Sequence, residues 1–313
     1  MKKISLVIPC HNEEENIKLL FNECEKVLSS KYNVEYIYID DGSSDKTYLN
    51  ICELAKDNAD KEIRGIRFSR NFGKDSAMLA GLKNATGDYV SIIDADLQQD
   101  PKYVLDMVDF LESNENFESV ACYQENRKES TVLKFFKKMF YKIINKISDT
   151  HFEENASDFR TFRKQVVSSI LELTEYYRFS KGIFAWVGFN THYMPYVVKE
   201  RQYGKTNWSF TKLTKYAFDG FFSFSTVPLK IATLIGLMSS GLSVCYFIAV
   251  LIEKFTKGIA VSGYPTIVSL ILLIGGIQMV LLGIIGEYLS RTYMEVKKRP
   301  SYIIKNEVNS KKE

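Results

Sequence analysis

Two long runs without a charged residue lie in the last third of this 313-residue chain, and they limit its fold more than any other feature. The runs are residues 231–252 and 265–286. A helix rises about 1.5 Å per residue, so either run can cross a hydrocarbon core roughly 30 Å thick. A helix buried in a soluble core is the alternative for each run alone, but two such runs in succession favour a membrane hairpin. The sequence therefore predicts two transmembrane helices here.

The basic residues around these runs predict the orientation of the hairpin. Between the runs, Lys254 and Lys257 are the only basic residues. More lie on the two flanks: Lys205, Lys212, Lys215, Lys230, Arg291, Lys297, Lys298, Arg299, Lys305, Lys311 and Lys312. Because cytoplasmic flanks of membrane helices are rich in Lys and Arg, we expect both termini in the cytoplasm. The short apolar run near Met1 is not expected to act as a signal peptide.

Composition narrows the functional class further. A net charge of only +3 gives no indication of nucleic-acid binding. The five cysteines form no Cys-x-x-Cys pair, and with only three histidines beside them no zinc site is expected. We expect a cytoplasmic domain over residues 1–226, the hairpin over 227–290 and a basic cytoplasmic tail over 291–313.

The first hundred residues alternate between short apolar runs and helical patterns. The apolar runs read as buried strands at 4–9, 34–39, 63–68 and 89–93. Helices are expected at 17–28, up to residue 54, and at 74–84. This rhythm is typical of an α/β fold with a parallel sheet and right-handed crossovers. No Gly-x-Gly-x-x-Gly follows the first strand and no Walker A pattern occurs, so a classical dinucleotide or P-loop fold is not expected.

Acidic residues follow three of these strands. They are Glu13, the pair Asp40 and Asp41, and the pair Asp94 and Asp96. Ligands of parallel sheets bind beyond the carboxyl ends of the strands, so all five should meet at one rim. Side chains alternate along a strand, so Asp94 and Asp96 should face the same way and could hold Mg²⁺ or Mn²⁺. The structural alternatives are a solvated strand end and, for Glu13, a favourable charge at a helix start.

Two segments look suited to a membrane surface. Residues 130–149 carry apolar side chains at helical spacing between lysines, a pattern that lies well at an anionic bilayer. Residues 206–226 combine Trp208 and Tyr216 with a cluster of phenylalanines, as interfacial belts do. We expect interfacial helices at both places, with ordinary packed surface helices as the alternative.

The stretch from Asn155 to Arg163 is polar and is expected to lead into another helix. Asp158 would then cap that helix, because an Asp side chain accepts hydrogen bonds from the free N–H groups of the first turn. This capping role is the alternative to any role for Asp158 in a site. A further strand is expected near residues 191–197.

Four motifs in order, together with three nearer the C-terminus, resemble the family 2 glycosyltransferases, which have a GT-A fold. The first four are Val7–Glu14 (VIPCHNEE), Asp40–Ser43 (DDGS), Asn71–Lys74 (NFGK) and Asp94–Pro101 (DADLQQDP). The others are Ser157–Arg160 (SDFR), Arg201–Thr206 (RQYGKT) and Gly286–Leu289 (GEYL). The nearer resemblance is to the polyprenyl-phosphate subgroup, which includes dolichyl-phosphate mannose synthase and the GtrB-type bactoprenol glucosyltransferases.

This resemblance implies a membrane-bound inverting enzyme with a GT-A domain, a mostly parallel α/β sheet. It would transfer a hexose, first of all glucose from UDP-glucose, to undecaprenyl phosphate on the cytoplasmic face of the bacterial plasma membrane. The product would be a lipid-linked sugar for cell-envelope glycans. The resemblance also implies a divalent cofactor, Mg²⁺ or Mn²⁺, and a homo-oligomer, by analogy a tetramer.

The resemblance also implies residue roles on the donor side. Asp94 and Asp96 would hold the metal and the sugar diphosphate, with Gln98 nearby. The residues expected to line the nucleotide pocket are Pro9, Glu13, Asp40 and Asp41, with the two aspartates meeting the uracil or ribose.

On the acceptor side, the resemblance places Asp158 close to the reacting centre, as a base, an orienting group or a stabiliser of the sugar cation. Arg201 and Lys205 would meet the acceptor or donor phosphate. The chain departs from many relatives by having Gln124 and Asn207 where they carry Arg and Lys. Arg127 and Lys205 are expected to compensate.

Other readings remain open from the sequence. The same reaction could use N-acetylhexosamine, mannose or galactose. A processive polysaccharide synthase is less favoured, because Gln202 is not part of a Gln-x-x-Arg-Trp motif and only two spans are expected. A non-catalytic membrane scaffold and a membrane-anchored transferase with a soluble acceptor are the remaining alternatives.

Overall fold

The computed structural model of the chain describes residues 1–124, 156–199, 225–257 and 263–311, with single positions at 139, 141, 142, 145 and 153. It divides into two compact units, Met1–Gly220 with Arg299–Glu313, and Phe221–Lys298. Arg127, Arg201 and Lys205 lie outside the described residues. So do the expected interfacial helices near 130–149 and 206–226, apart from four single positions in the first and residues 225 and 226 at the end of the second.

The first unit is built on one mixed sheet, which has eight strands in the described part of the chain. Their order across the sheet is β7-β5-β6-β4-β1-β2-β3-β8. The strands are β1 (Lys3–Cys10), β2 (Asn33–Asp40), β3 (Glu62–Phe68), β4 (Tyr89–Ile92), β5 (Ser119–Gln124), β6 (Ala156–Arg163), β7 (Thr191–Tyr196) and β8 (Ile304–Asn309). The parallel block β4-β1-β2-β3 confirms the strand and helix rhythm expected from the sequence.

Helices connect and cover these strands. They are α1 (Ile17–Leu28), α2 (Thr47–Asp57), α3 (Lys74–Asn84), α4 (Lys102–Ser113), α5 (Lys164–Glu172) and α6 (Ser180–Trp186). Successive side chains of a strand point to opposite faces, and the core divides accordingly. Ile4, Leu6 and Ile8 join the larger cluster with α1 and α4, whereas Ile37 and Ile39 join the smaller one with α3. Both faces of the parallel block are therefore buried, as its uninterrupted apolar strands require.

The polar stretch is itself β6, a central antiparallel strand between β4 and β5, and it leads directly into α5, the helix expected after it. The strand was not expected, because its polar side chains find their partners inside the protein. Thr161 Oγ1 lies 2.7 Å from Ser91 Oγ. The guanidinium of Arg163 donates to the carbonyls of Leu111 and Phe117 at 2.5 and 2.9 Å. Asp158 is therefore a strand residue and does not cap a helix.

The segment expected to be a basic tail contributes a strand to the first unit. Residues 304–309 form β8, which pairs antiparallel with β3 at the edge of the sheet. Just before it, the ring of Tyr302 stacks on Phe68 with centroids 4.8 Å apart. After it, the N–H of Ser310 donates to the carbonyl of Ile63 at 2.9 Å. The chain thus returns to the sheet of the first unit after its second long helix.

The second unit contains α7 (Val227–Lys257) and α8 (Tyr264–Val296). Within them, Val227–Tyr246 and Leu273–Val296 are long and apolar enough to cross a membrane. Both helices extend beyond the expected spans of 231–252 and 265–286. At the end of α8, no residue from Tyr288 to Val296 interrupts the backbone hydrogen bonds of the helix. Glu287 and Arg291 form an i, i+4 ion pair at 2.9 Å, which also favours the longer helix.

Candidate active site

The loops after β1, β2 and β4 meet at one rim of the sheet, where the chain order reverses between β1 and β4. Cys10 marks the meeting point at the end of β1. Burial raises the pKa of its thiol well above the usual value, and the carboxylates of Glu13, Asp40 and Asp94 raise it further. Charges from three different strand ends therefore act on one buried atom. The convergence expected from the sequence is present in the structure.

The loop after β1 is fixed to the loop after β2. The backbone N–H of Asn12 donates to Ser43 Oγ at 2.9 Å, and that of Glu13 donates to Thr47 Oγ1 at 2.8 Å. The carboxylate of Glu13 accepts a hydrogen bond from Asn16 Nδ2 at 2.6 Å. Glu13 is consequently held at the rim from both its backbone and its side chain.

Asp40 supports the rim from inside. Its residue surface is 0% exposed, and Oδ1 accepts the backbone N–H of Ser43 at 2.9 Å. Its Oδ2 lies 3.2 Å from Arg67 Nε. In this structure no surface of Asp40 is open to a nucleotide, so the expected contact of this residue with uracil or ribose is not seen. Its neighbour Asp41 is buried as well, at 4% exposed.

Asp41 holds the loop that follows β3. Its two oxygens accept the backbone N–H groups of Phe72 and Gly73 at 2.6 and 2.9 Å. Burial raises the pKa of this carboxyl, and the two N–H donors oppose that rise. Gly42 allows the loops after β2 and β3 to approach each other closely, because it has φ +65° and a Cβ there would lie 2.7 Å from the nitrogen of Asn71. Asp41 thereby fixes the start of α3.

Asp94 and Asp96 lie in a turn beyond the end of β4, not on the strand itself. Strand alternation therefore does not explain their proximity; the turn does. Leu97 has a left-handed φ of 60°, and the N–H of Gln98 donates to Asp96 Oδ1 at 3.2 Å. The side chain of Gln99 binds Asp94 twice. Its oxygen accepts the backbone N–H of Asp94 at 2.9 Å, and its Nε2 donates to Asp94 Oδ2 at 3.0 Å.

Lys74, the first residue of α3, links this turn to β6. Its Nζ lies 2.6 Å from Asp94 Oδ1 and 3.4 Å from Asp158 Oδ2. Burial opposes the charge of the ammonium, but the two carboxylates outweigh it and raise the pKa of Lys74. Burial also opposes the charge of Asp158, yet Lys74, with Lys181 and Arg160, holds the pKa of that carboxyl below its usual value. Both groups are ionised at neutral pH.

The second oxygen of Asp158, Oδ1, is buried and has no hydrogen-bond partner in the part of the chain that the structure describes. A buried carboxylate oxygen without a donor is costly, and a bound ligand or ion is one way to satisfy it. The carboxylate also faces Lys74, which pairs with Asp94 as well.

The donor set fits a divalent ion that arrives with a diphosphate. Among the described residues, no group of three His, Cys, Asp or Glu side chains is arranged to hold a metal by itself. Mg²⁺ is commonly bound through one or two carboxylates, completed by phosphate oxygens and water. Asp94 and Asp96 supply that number of carboxylates on one turn, so they would hold such an ion.

The remaining expected site residues lie around this turn. Gln98 donates through Nε2 to the carbonyl of Lys199 at 3.4 Å, and its own carbonyl accepts the N–H of Lys199 at 3.0 Å. Pro9 is half-buried on β1, opposite Ile39. Gln124 ends β5, opposite Tyr196 of β7.

Two residues of this site were missed from the sequence. Lys74 was seen only as part of a motif, and Gln99 only as a neighbour of Gln98. A signal existed for Lys74, because Gly73 and Lys74 follow β3 and so must reach the same rim as the acids. The pairing of Lys74 with Asp158 could not be predicted, since the strand that carries Asp158 was not recognised.

Comparison with known families and proteins completes the description of the site. Residues 5–171, more than half of the chain, match the family described as Glycosyl transferase family 2. The chain belongs to glycosyltransferase family 2. Residues 227–292 match a second family, described as GtrB C-terminal hairpin. The resemblance read from the motifs is confirmed, and with it the GT-A class of the fold and the enzyme class.

Similar proteins cover nearly the whole chain. A putative glycosyltransferase, CsbB, from Bacillus subtilis (strain 168) is 41% identical over 304 residues, 96% of this chain and 91% of that protein. A prophage bactoprenol glucosyl transferase homolog from Escherichia coli (strain K12) is 40% identical, over 97% of this chain and 98% of that protein. The bactoprenol glucosyl transferase of Shigella phage SfV is 39% identical, over 97% and 99%.

A more distant likeness exists among solved structures. Glucosyl-3-phosphoglycerate synthase from Mycobacterium tuberculosis, solved with Mn²⁺, UDP-glucose and phosphoglyceric acid, superposes with a TM-score of 0.47 at 17% identity. The match covers 75% of this chain and 79% of that one. The Mn²⁺ and UDP-glucose are ligands of that protein.

Proposed function

We propose that this enzyme transfers glucose from UDP-glucose to a polyprenyl phosphate, undecaprenyl phosphate in a bacterium, at the cytoplasmic face of the plasma membrane. The observation that carries the acceptor is the extent of the similarity to relatives named bactoprenol glucosyl transferase. It covers 97% of this chain, and so includes both the rim and the hairpin. A likeness confined to the catalytic domain would not point to a lipid acceptor.

The donor half of the proposal uses the turn after β4. Breaking the bond between glucose C1 and UDP places negative charge on the leaving diphosphate, which preorganised positive charge stabilises. The ammonium of Lys74, 2.6 Å from Asp94, is a cation already present at that place. A bound Mg²⁺ or Mn²⁺, held by Asp94 and Asp96, would add Lewis-acid stabilisation of the same oxygens.

Asp158 then acts on the sugar side as a fixed negative charge. Positive charge develops on the glucosyl ring in the transition state, and the free Oδ1 of an ionised Asp158 stabilises it. A general base is not required, because a phosphate monoester has a second pKa near ~6 and is already largely ionised at neutral pH. Attack by the lipid phosphate from the opposite side of C1 would invert the anomeric centre.

The acceptor half draws on residues predicted from the sequence. Arg127, Arg201 and Lys205 would bind the phosphate of the lipid. The basic residues that flank the hairpin support a topology with both termini in the cytoplasm. The enzyme would assemble as a tetramer, by resemblance to GtrB-type relatives.

A direct assay tests this function. Membranes containing the full chain and undecaprenyl phosphate are incubated with radiolabelled UDP-glucose, and the label is extracted into organic solvent. The expected product is a glycolipid that mild acid hydrolyses, and it is absent with Asp96→Asn. Asp57→Asn, an exposed aspartate on α2, is the matched control and should retain the product.

The same assay distinguishes the alternatives. Labelled UDP-N-acetylglucosamine, UDP-galactose and GDP-mannose in parallel identify the sugar, and a higher yield with any of them would replace glucose. Label that enters water-soluble glycan with no lipid intermediate would contradict the lipid acceptor.

A further inference from the structure

Lys74 occupies an unusual position for a lysine at the start of a helix. The side chain does not extend into solvent along α3; its Nζ lies between two carboxylates from different elements, 2.6 Å from Asp94 and 3.4 Å from Asp158. The side chain is 39% exposed, and its partners are 29% and 18% exposed. The ion pair is therefore partly exposed to water.

The same contacts involve the atoms a metal would use. One oxygen of Asp94 faces the Lys74 ammonium at 2.6 Å, and the other accepts Gln99 Nε2 at 3.0 Å. A divalent ion bound to Asp94 would stand within a few ångströms of a positive charge. Like charges so close repel strongly where water is partly excluded, so this arrangement disfavours a metal that binds alone.

A nucleoside diphosphate changes this balance. It brings negative oxygens that can accept the Lys74 ammonium in place of Asp94 and can also complete the coordination of a metal. Lysine is suited to such an exchange, since its ammonium is a point charge on a flexible stem. Asp158, still facing Nζ, would keep the displaced ammonium close to the site.

We propose that Lys74 is an internal competitor for the metal, an ammonium that blocks Asp94 until a nucleoside diphosphate arrives and so makes metal and nucleotide bind as a coupled pair. This rests on the proposed function only in taking a nucleoside diphosphate as the leaving group of the donor. Coupling between two ligands is reciprocal, so the factor by which UDP tightens metal binding equals the factor by which the metal tightens UDP binding.

A metal-binding titration measures this coupling without any turnover of substrate. Full-length enzyme in detergent is titrated with Mn²⁺, and the loss of the EPR signal of free Mn²⁺ reports binding, with and without UDP. The wild type should bind Mn²⁺ at least about tenfold more tightly when UDP is present, within the usual range of coupling between sites. Equal Mn²⁺ affinity with and without UDP would overturn the proposal before any variant is made.

Lys74→Met tests the role of the charge, because it keeps the unbranched stem and removes the ammonium. We expect this variant to bind Mn²⁺ alone about tenfold more tightly than the wild type, with a smaller effect of UDP. Lys74→Arg, which retains the charge, should bind Mn²⁺ alone as weakly as the wild type. A Lys74→Met enzyme that binds Mn²⁺ alone no more tightly than the wild type would contradict the inference.

Lys199→Met is the matched control. Lys199 also borders the turn after β4, but its Nζ pairs with Asp100 at 2.9 Å and not with Asp94. Its removal should leave the affinity for Mn²⁺ alone within about twofold of the wild type; an increase equal to that of Lys74→Met would show a general charge effect and overturn the assignment. A thermal melt checks folding, since Mn²⁺ alone should raise the melting temperature of Lys74→Met more than that of the wild type.

The outcome separates this inference from the proposed function. If the enzyme makes glucolipid and Lys74→Met leaves Mn²⁺ binding unchanged, the proposed function stands and the inference about Lys74 fails. If the coupling is observed but no glucolipid is made, the role of Lys74 stands and the acceptor and sugar assignments fail.

Discussion

Acids lie at both ends of the parallel strands, buried at one end and half-buried at the other, and they are held in different ways. At the amino ends, Glu35 is 5% exposed and one oxygen accepts three hydrogen bonds. The donors are Ser5 Oγ at 2.5 Å, and the N–H and hydroxyl of Thr86, each at 3.0 Å. Lys3 lies 3.7 Å from the other oxygen. This acid is surrounded by groups fixed in the backbone and the sheet.

At the carboxyl ends, Asp94 and Asp158 share one flexible side chain. Lys74 pairs with both, and Asp158 Oδ1 has no hydrogen-bond partner among the described residues. A closed cluster such as that around Glu35 stabilises the fold and leaves nothing for a ligand. An open cluster keeps an unsatisfied atom and a displaceable cation, which is what a binding site needs. The difference separates an acid that holds the sheet from the acids that we propose act on a substrate.

The largest expected effect comes from Asp94→Asn. The amide keeps an oxygen for Gln99 but loses the charge that would hold a metal, so we expect kcat/KM for glucolipid formation to fall by about 10³-fold. The melting temperature should change little, because Lys74 keeps Asp158 as a partner. Glucolipid synthesis and a thermal melt of the same preparation measure both. Activity within tenfold of the wild type would remove Asp94 from the site.

Glu35→Ala should show the opposite profile. It leaves the buried Ser5 hydroxyl without its acceptor, and an unsatisfied buried group costs about 1–3 kcal/mol. We expect the free energy of unfolding of the catalytic unit to drop by about 1–3 kcal/mol, with kcat per folded molecule unchanged. Chemical denaturation and active-enzyme titration check this, and Glu35→Gln, which retains an acceptor oxygen, should lose less. A lower kcat at unchanged stability would make Glu35 part of the site.

The contrast also shows what a sequence can reveal. Strands β1 to β4 are short apolar runs, so their burial and order could be predicted from composition along the chain. Strand β6 could not, because Asp158, Arg160 and Thr161 look like loop residues until their partners on other strands are known. Strand β8 is exposed and polar, and only its long-range pairing with β3 makes it a strand.

The site divides in the same way. The acids at strand ends could be predicted, because topology alone brings the carboxyl ends of parallel strands together. The contact between Lys74 and Asp158 could not, since one of its members lies on the unrecognised β6. For Asp94 and Asp96, the sequence argument used strand alternation, whereas the structure places both residues beyond the end of β4.

Asp158→Asn distinguishes a role of Asp158 as a fixed charge from a role in proton transfer. Losing the fixed charge should lower kcat by about 10- to 100-fold with little change in KM for UDP-glucose. The pKa of Asp158 is held below its usual value, so it stays ionised from pH 5 upward. The fall of activity on the acid side should then follow the acceptor phosphate, with a midpoint near ~6 in both wild type and variant. A midpoint that moves in the variant would instead indicate proton transfer by Asp158.

The smallest expected effect tests how residues outside the site support the loop that leads to Lys74. Tyr302, outside the site, stacks on Phe68 at 4.8 Å, and Phe68 meets Phe72 edge-on at 5.8 Å. The N–H of Phe72 donates to Asp41, which fixes the loop leading to Lys74. Tyr302→Ala removes an aromatic contact worth about 1 kcal/mol. We therefore expect a slightly lower melting temperature and a KM for UDP-glucose raised by about two- to fivefold at unchanged kcat.

Tyr302→Phe is the control for this last change, because it keeps the ring and its stack and should behave as the wild type. Activity and melting measured on both variants distinguish the two ends of the sheet once more. If Tyr302→Ala lowers stability and leaves KM unchanged, the segment before β8 only stabilises the sheet, as Glu35 does. If KM rises as expected, the open end depends on a support supplied by the returning chain, and the geometry around Lys74 is set in part by residues far from it in sequence.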